Sequence, residues 1–205
     1  EAAADCYRRA VEVNPQLAPA LSNLGVCLRN EGRIYEALPY LERARAVAPD
    51  HPEVLLNHGL GLVDVGRAQE GEELLRRALE LKPGMPEAHL ALALQLLGSG
   101  RFRDGWREYE WRMQTEGYER QRNYPYPQWQ GQDLAAGALL VRAEQGLGDQ
   151  IMFSSCLPEV LARAERCIIE CDPRLNQIFA RSFPQAAVCA MRAGGDPGWA
   201  DEGIT

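Results

Sequence analysis

Residues 21–50 read LSNLGVCLRNEGRIYEALPYLERARAVAPD, and residues 55–84 read LLNHGLGLVDVGRAQEGEELLRRALELKPG, the same pattern 34 positions on. Extending that register gives five columns: Gly25, Gly59 and Ala93; Gly32, Gly66 and Gly100; Ala10, Ala44 and Ala78; Pro15, Pro49 and Pro83; Ala37, Gly71 and Gly105. A fixed period of this length marks a stack of identical supersecondary units. Within each unit the apolar residues fall at three- and four-residue spacing, as in Leu21, Leu24 and Leu28, then Ile34, Leu38 and Leu41. That is the pattern of two amphipathic helices. The columns have physical reasons. Gly25/Gly59/Ala93 and Ala37/Gly71/Gly105 are small where two helices cross closely. Gly32, Gly66 and Gly100 suit the left-handed backbone that ends a helix. Pro15, Pro49 and Pro83 stop the second helix, and Pro52 and Pro86, each followed by Glu, open the next at its first position.

The register divides residues 1–119 into a partial repeat (1–16, a second helix alone), two full repeats (18–51 and 52–85) and a degenerate one (86–119). In the last, Arg112 replaces the small Ala, and Trp106, Tyr109 and Trp111 enlarge the second helix. Terminal repeats depart from consensus because one face meets something else. Pro39 falls inside a second helix, which predicts a kink or a rearranged first turn. The spacing resembles the tetratricopeptide repeat (TPR), carried by Leu24-Gly25, Gly32, Ala37, Ala44 and Pro49, then Gly59, Gly66, Ala78 and Pro83. The resemblance implies a right-handed superhelix of helical hairpins whose first helices line a concave, protein-binding face.

By register that face carries Ser22, Asn23, Val26, Arg29 and Asn30, then Leu56, Asn57, Leu60, Val63 and Asp64, then Leu90, Leu94 and Leu97. It lacks the basic ladder with which some TPR modules clamp a C-terminal carboxylate. Asn23 and Asn57 are equivalent, similar to the asparagine ladder of O-linked N-acetylglucosamine transferases, which implies an extended peptide held through its backbone. Ala91 ends that ladder, and asparagine at this position also occurs without such a role. The expected partner is a protein or an extended peptide.

Of the 205 residues, 46% are apolar and 25% charged, which fits a globular chain, and the net charge is −7. A negative surface does not neutralise phosphates, so neither nucleic acid nor an anionic membrane is expected. No apolar run approaches the ~20 residues that span a bilayer. Six cysteines (6, 27, 156, 167, 171, 189) form no CxxC, and three histidines (51, 58, 89) form no HxxxH. No metal site and no cofactor are expected, and the thiols read as reduced and buried in a cytoplasmic protein.

Beyond residue 116 the composition changes. Gly117-Tyr118, Tyr124-Pro125-Tyr126-Pro127, Trp129, Gly131 and Gly137 suggest an extended linker over 120–137, anchored by its aromatics. Residues 138–143 (ALLVRA), 167–171 (CIIEC) and 186–191 read as strands. A helix is expected over 150–164, with Ile151, Phe153, Leu157, Val160 and Leu161 inward and Pro158 kinking or splitting it. A second opens at the Asp172-Pro173 cap and runs to about Ser182. Strand–helix–strand–helix–strand predicts a parallel sheet. The sequence loosens at Gly194-Gly195-Asp196-Pro197-Gly198. The expected fold is thus mainly α: a TPR superhelix followed by a truncated, three-stranded Rossmann-like unit over 138–205.

Gly146 and Gly148 lie between the first strand and a helix, where they serve a tight turn or hold a phosphate. A dinucleotide fingerprint needs a glycine where Ile151 stands, although Glu170 sits where a ribose-binding acid would lie. Residues 139–188, with Gly148-Asp149 and Gln150-Ile151-Met152-Phe153, resemble the start of the heptosyltransferase-like glycosyltransferases. Gly105-Trp106, Tyr109-Glu110-Trp111-Arg112, Pro127, Trp129, Gly131 and Leu134 resemble the junction found in bacterial TPR proteins carrying such a domain. The resemblance implies a GT-B enzyme with Asp149 as general base and Gly146 and Gly148 near the donor phosphates. The second GT-B domain is missing, so the chain reads as a fragment: an inactive TPR interaction scaffold. A sugar nucleotide is expected only in a full-length parent. The alternative role for Asp149 is a helix cap.

Overall fold

The computed structural model describes residues 2–115, 126–132 and 134–191. The chain forms two compact units, residues 1–121 and 122–205.

Unit 1 contains the helices α1 (Ala2–Val13), α2 (Ala18–Asn30), α3 (Ile34–Val47), α4 (Pro52–Asp64), α5 (Ala68–Leu81), α6 (Pro86–Gly98) and α7 (Phe102–Tyr109). A 3-10 turn, Glu110–Gln114, follows. α2 pairs with α3, α4 with α5 and α6 with α7, and α1 packs on α2. Each hairpin turns through the same hydrogen bonds. The N–H groups of Arg33, Arg67 and Arg101 donate to the carbonyls of Leu28, Leu62 and Leu96 at 2.9, 2.9 and 2.8 Å. Those of Gly32, Gly66 and Gly100 donate to Arg29, Val63 and Leu97. Both donors of a Schellman cap are present, which requires the positive φ of 77°, 83° and 79° that the three glycines adopt.

The small columns set how closely the helices approach. A Cβ on Gly71 would lie 2.6 Å from the Gly59 carbonyl oxygen and 2.6 Å from Val63 Cγ2, and one on Gly105 would lie 2.7 Å from Leu97 Cγ. Around these crossings Leu21, Leu24, Leu41, Leu55, Leu75, Leu92 and Leu96 are fully buried. One member of the leucine column is different: Leu24 and Leu92 bracket His58 at the same repeat position. His58 is 4% exposed, and neither ring nitrogen has a hydrogen-bond partner among the described residues. Burial, with Arg45 and Arg67 adding positive charge and Glu70 opposing them, pushes its pKa down to about 4.

α3 is one continuous helical span with Pro39 inside it. The bond that proline deletes would have used the carbonyl of Tyr35, whose residue is 81% exposed, so water can satisfy it. The degenerate second helix stops at Tyr109 and tightens into the 3-10 turn. Trp111 there stacks on His89 of α6, ring centroids 4.0 Å apart and planes 5° apart. The continuation to residue 119 lies outside the described residues.

Unit 2 is a parallel sheet in the order β1 (Leu134–Arg142), β2 (Ala164–Cys171), β3 (Ala187–Ala190). Its register pairs Val141 with Ile169 and Ile169 with Val188. β1 begins four residues earlier than expected, with an irregularity between Leu134 and Ala138. The first connection is α8 (Leu147–Phe153), a 3-10 turn (Ser154–Cys156) and α9 (Leu157–Leu161), so the expected helix is split just before Pro158. Ile151 and Phe153, expected inward, are 51% and 45% exposed, while Leu157 is buried. The break lets α9 face the sheet without carrying α8 along. α10 (Asn176–Ser182) starts later than the Asp172-Pro173 cap implied. Asp172 instead accepts from the Arg174 N–H (2.9 Å), an Asx turn, and the Arg174 guanidinium holds its pKa at about 2. Leu157, Cys167, Ile169, Cys171, Leu175 and Phe179 form the core. All six cysteines are unpaired, but Cys6 and Cys156 are exposed, so burial of all six was too broad. Burial pushes the Cys167 and Cys171 thiols up to about 11. In the linker, Trp129 donates its indole N–H to the Gln132 carbonyl (2.6 Å), fixing it on its own loop. Gly117-Tyr118, Tyr124-Pro125 and residues 194–198 lie outside the described residues.

Three substitutions in unit 1 test this packing. Neutral His58 contributes fully above pH 6.5, and that contribution is lost as pH falls towards its folded pKa of about 4. His58→Leu should remove this loss, on the order of 3 kcal/mol across the window, as measured by urea unfolding at pH 7.5 and pH 4. Gly71→Ala should destabilise by about 1–3 kcal/mol despite the helix propensity it gains, because its methyl meets backbone. Gly98→Ala, with nothing within 4 Å of the new methyl, should stabilise by up to about 1 kcal/mol in the same assay.

Candidate functional site

The first helices form one row, in which α2 contacts α4 directly. Period 34 places the same position of each hairpin on the same side of that row. Of the residues expected there, Asn23 and Asn30 are exposed, Val26 and Leu60 are half-buried and Leu94 is 55% exposed. Val63 and Leu97 belong elsewhere: their side chains fill the space over Gly71 and Gly105, inside the hairpins. Ser22 and Leu56 are buried.

The amide ladder is not free. Asn57 Nδ2 donates to Ser22 Oγ at 2.9 Å, so this rung joins α2 to α4. Two turns further along, Arg29 Nε donates to Asp64 Oδ2. Both bonds span 35 residues, one more than the repeat. A residue of one first helix therefore meets the successor of its equivalent in the next. Asn23 remains exposed, and the two asparagines, equivalent in sequence, differ in what their amides do. The charges on this face are paired with each other.

Sequence reasoning also missed a second set of contacts, on the other helices. Arg33, Arg67 and Arg101 form a column, and Arg43 and Arg77 another. Arg43 reaches the Pro15 carbonyl (3.1 Å), Arg77 reaches Asp50 (3.0 Å), and Arg101 reaches Glu72 (2.9 Å). Each tie bridges neighbouring hairpins, and the same period would have revealed the columns. Exposed ion pairs of this kind contribute little singly.

In unit 2 the loop that carries Gly146, Gly148 and Asp149 is bracketed by hydrogen bonds. Asp149 is the third residue of α8, and its Oδ2 accepts from the Gly146 N–H at 3.1 Å. The carboxylate turns back to cap its own helix. Positive φ occurs at neither Gly146 nor Gly148 but at Gln145, at 67°. Behind the loop, Gln150 is 6% exposed. Its Nε2 donates to the Gln145 carbonyl (3.3 Å) and its Oε1 accepts from the Asp172 N–H (3.0 Å). This amide ties together the loops that leave β1 and β2. Glu170, at the end of β2, is 1% exposed.

A row of 34-residue helical hairpins with first helices along one side defines a TPR-type repeat scaffold. Residues 16–84 match the tetratricopeptide repeat family. The FlbA protein of Caulobacter vibrioides is 36% identical over 93 residues, 43% of this chain and 16% of that protein, so the chain spans about a sixth of that relative. The chain is also similar in structure to MamA of Desulfovibrio magneticus, with 20% identity, 59% of this chain and 67% of that one covered, and a TM-score of 0.48. A structure of PilF from Pseudomonas aeruginosa gives 25% identity, 54% and 51% coverage and a TM-score of 0.47. No helix among the described residues is long and apolar enough to cross a membrane.

The bracket can be tested directly. Gln150→Leu should leave the Asp172 N–H without its acceptor and cost about 1–3 kcal/mol, with faster hydrogen exchange at that amide. Asp149→Asn, which keeps an acceptor for Gly146, should leave the melting temperature of unit 2 almost unchanged, whereas Asp149→Ala should lower it.

Proposed function

We propose that unit 1 is a protein-interaction scaffold, and that the first-helix face of α2, α4 and α6 receives the partner. The supporting observation is the aliphatic column Val26, Leu60 and Leu94, half-buried at the first two and 55% exposed at the third, repeated at one position of three successive hairpins. These residues are partly or largely open, whereas the leucines two positions on, Leu28, Leu62 and Leu96, are buried. Apolar surface presented in register, beside a polar margin of Asn23 and Asn30, suits association rather than folding. Six unpaired thiols suit a reducing, cytoplasmic compartment.

Unit 2 is proposed to be a structural companion of the scaffold. A sugar-transfer role with Asp149 as base has no support in the loop geometry, because that carboxylate is engaged by Gly146. A sugar nucleotide therefore forms no part of the proposal.

The scaffold reading is tested by selecting binding peptides from a random library against the chain and mapping them by methyl NMR. The methyl groups of Val26, Leu60 and Leu94 should shift on binding, while those of Val47 and Leu81, exposed on α3 and α5, should stay in place. Shifts confined to the second helices would reject the first-helix face as the binding site.

A further inference from the structure

We infer that α1 carries a docking site for one further helix, supplied by a partner protein and built like the first helices of this chain. The site lies on α1, not on α2, α4 and α6, and stands independently of the scaffold reading above.

By register α1 is the second helix of a hairpin, equivalent to α3, α5 and α7. One side of it is already used: Ala4 and Val11 are buried with Ala20, Leu21 and Leu24, and Tyr7 packs beside them. A second stripe, Ala3, Cys6, Ala10, Val13 and Leu17, follows alternating three- and four-residue spacing. In α5 and the turn after it the same positions are Gly71, Leu74, Ala78, Leu81 and Met85. There Gly71 and Ala78 are fully covered, and Leu74 and Met85 are buried. The cover is α4: Gly71 meets the Gly59 carbonyl and Val63, Leu74 and Ala78 cluster with Leu55 and Leu62, and Met85 clusters with Leu56. On α1 the stripe is open. Ala3 and Cys6 are exposed, and Val13 is 87% exposed against 41% at Val47 and 37% at Leu81. Cys6, Ala10, Val13 and Leu17, with Arg9 and Asn14, line an open hollow of about 460 Å³.

The internal copies say what fits. In every complete hairpin this stripe receives a helix rather than an extended segment: α2 lies on α3, α4 on α5 and α6 on α7. Ala37 shows that alanine serves at the crossing, since Gly25 of α2 lies opposite it, a Cβ there standing 3.4 Å from the Ala37 carbonyl oxygen. A helix docked on Ala3 therefore needs Gly or Ala where the two cross. The arginine column adds a polar condition. Arg43 reaches the Pro15 carbonyl and Arg77 the Asp50 carboxylate, acceptors that stand just ahead of α2 and α4. Arg9, at the same position of α1, is exposed and has no hydrogen bond or ion pair among the described residues. The partner is thus an amphipathic helix with a small crossing residue, preceded within a few residues by a carbonyl or carboxylate for Arg9.

The probe is a synthetic peptide with the sequence of residues 15–31, which spans α2 and the turn before it. A staple joining positions 19 and 23, both exposed in the chain, holds it helical. Titrated into the full chain, it should bind saturably and shift the methyl NMR signals of Ala3, Ala10 and Val13 while those of Leu94 stay in place. Val13→Glu, at so exposed a site, should weaken binding about tenfold, as should Gly25→Leu within the peptide; Arg9→Ala should weaken it less. Matching melting curves confirm that the Val13→Glu chain is folded. Absence of binding, or binding indifferent to Val13→Glu or to the peptide's Gly25→Leu, would overturn the site. Equal binding by a scrambled peptide that cannot form a helix would overturn the helical occupant. Shifts at Leu60 and Leu94 alone would move the peptide to the first-helix face, overturning this inference and leaving the scaffold reading standing. A concentration-dependent dimer abolished by Val13→Glu would put a second copy of the chain on the stripe and overturn the partner helix.

Discussion

The contact on which the repeat unit depends is between Gly59 and Gly71, where a backbone carbonyl faces a residue with no side chain. Two helices that approach this closely leave no slack for a methyl group. The approach in turn fixes where Leu74 and Leu75 meet α4, and hence which faces of α4 and α5 are buried. Ala37 beside Gly25 and Gly105 beside Leu97 repeat the device with slightly different partners. A hairpin held by close backbone approach is stiff, so the row of first helices is presented as a preformed surface rather than assembled on binding.

Stacking of the hairpins uses a different currency. Within a hairpin the contacts are apolar and lie at one repeat position; between first helices two of them are polar and lie one residue out of phase. Ser22–Asn57 and Arg29–Asp64 both cross 35 residues. The offset is what a staggered row of helices requires: each first helix is shifted slightly along the axis of the last. Leu56 and Ala91 share one apolar cluster, so the equivalent of the Ser22–Asn57 rung is hydrophobic in the next step. The polar and apolar ends of the face thus arise from how it is joined together.

The hairpins were legible in the sequence because their constraints are local or strictly periodic. A glycine that must take positive φ, or a small residue under a crossing, appears at the same place in every repeat. The parallel three-stranded sheet was legible for a related reason, since three short aliphatic runs separated by helix-length segments admit few connections. The contacts that were not legible have a common cause as well. The Asn57 bond to Ser22 was hidden because Ser22 is not at an equivalent position, and a search for identical columns passes over a contact one residue out of phase. At Asp149 the type of residue and the helix start were visible, while the 3.1 Å turn back to Gly146 was not. Ile151 and Phe153 were placed inward on the assumption of one long helix; the break at Ser154 rotates them out. Gln150 passed unnoticed because its importance lies in joining Gln145 to Asp172, 27 residues apart in sequence.

The three glycine turns have a consequence for how such a chain can change. Each links its helices through two cap bonds and a single left-handed residue, so an inserted residue would turn the following helix by about 100° and swing its buried stripe into water. Length is therefore quantised: the scaffold grows or shrinks by whole hairpins. Residues such as Asn23, Val26 and Leu94 take no part in those turns or in the glycine crossings. They are free to vary one at a time, so partner choice can drift while the frame that displays it stays fixed.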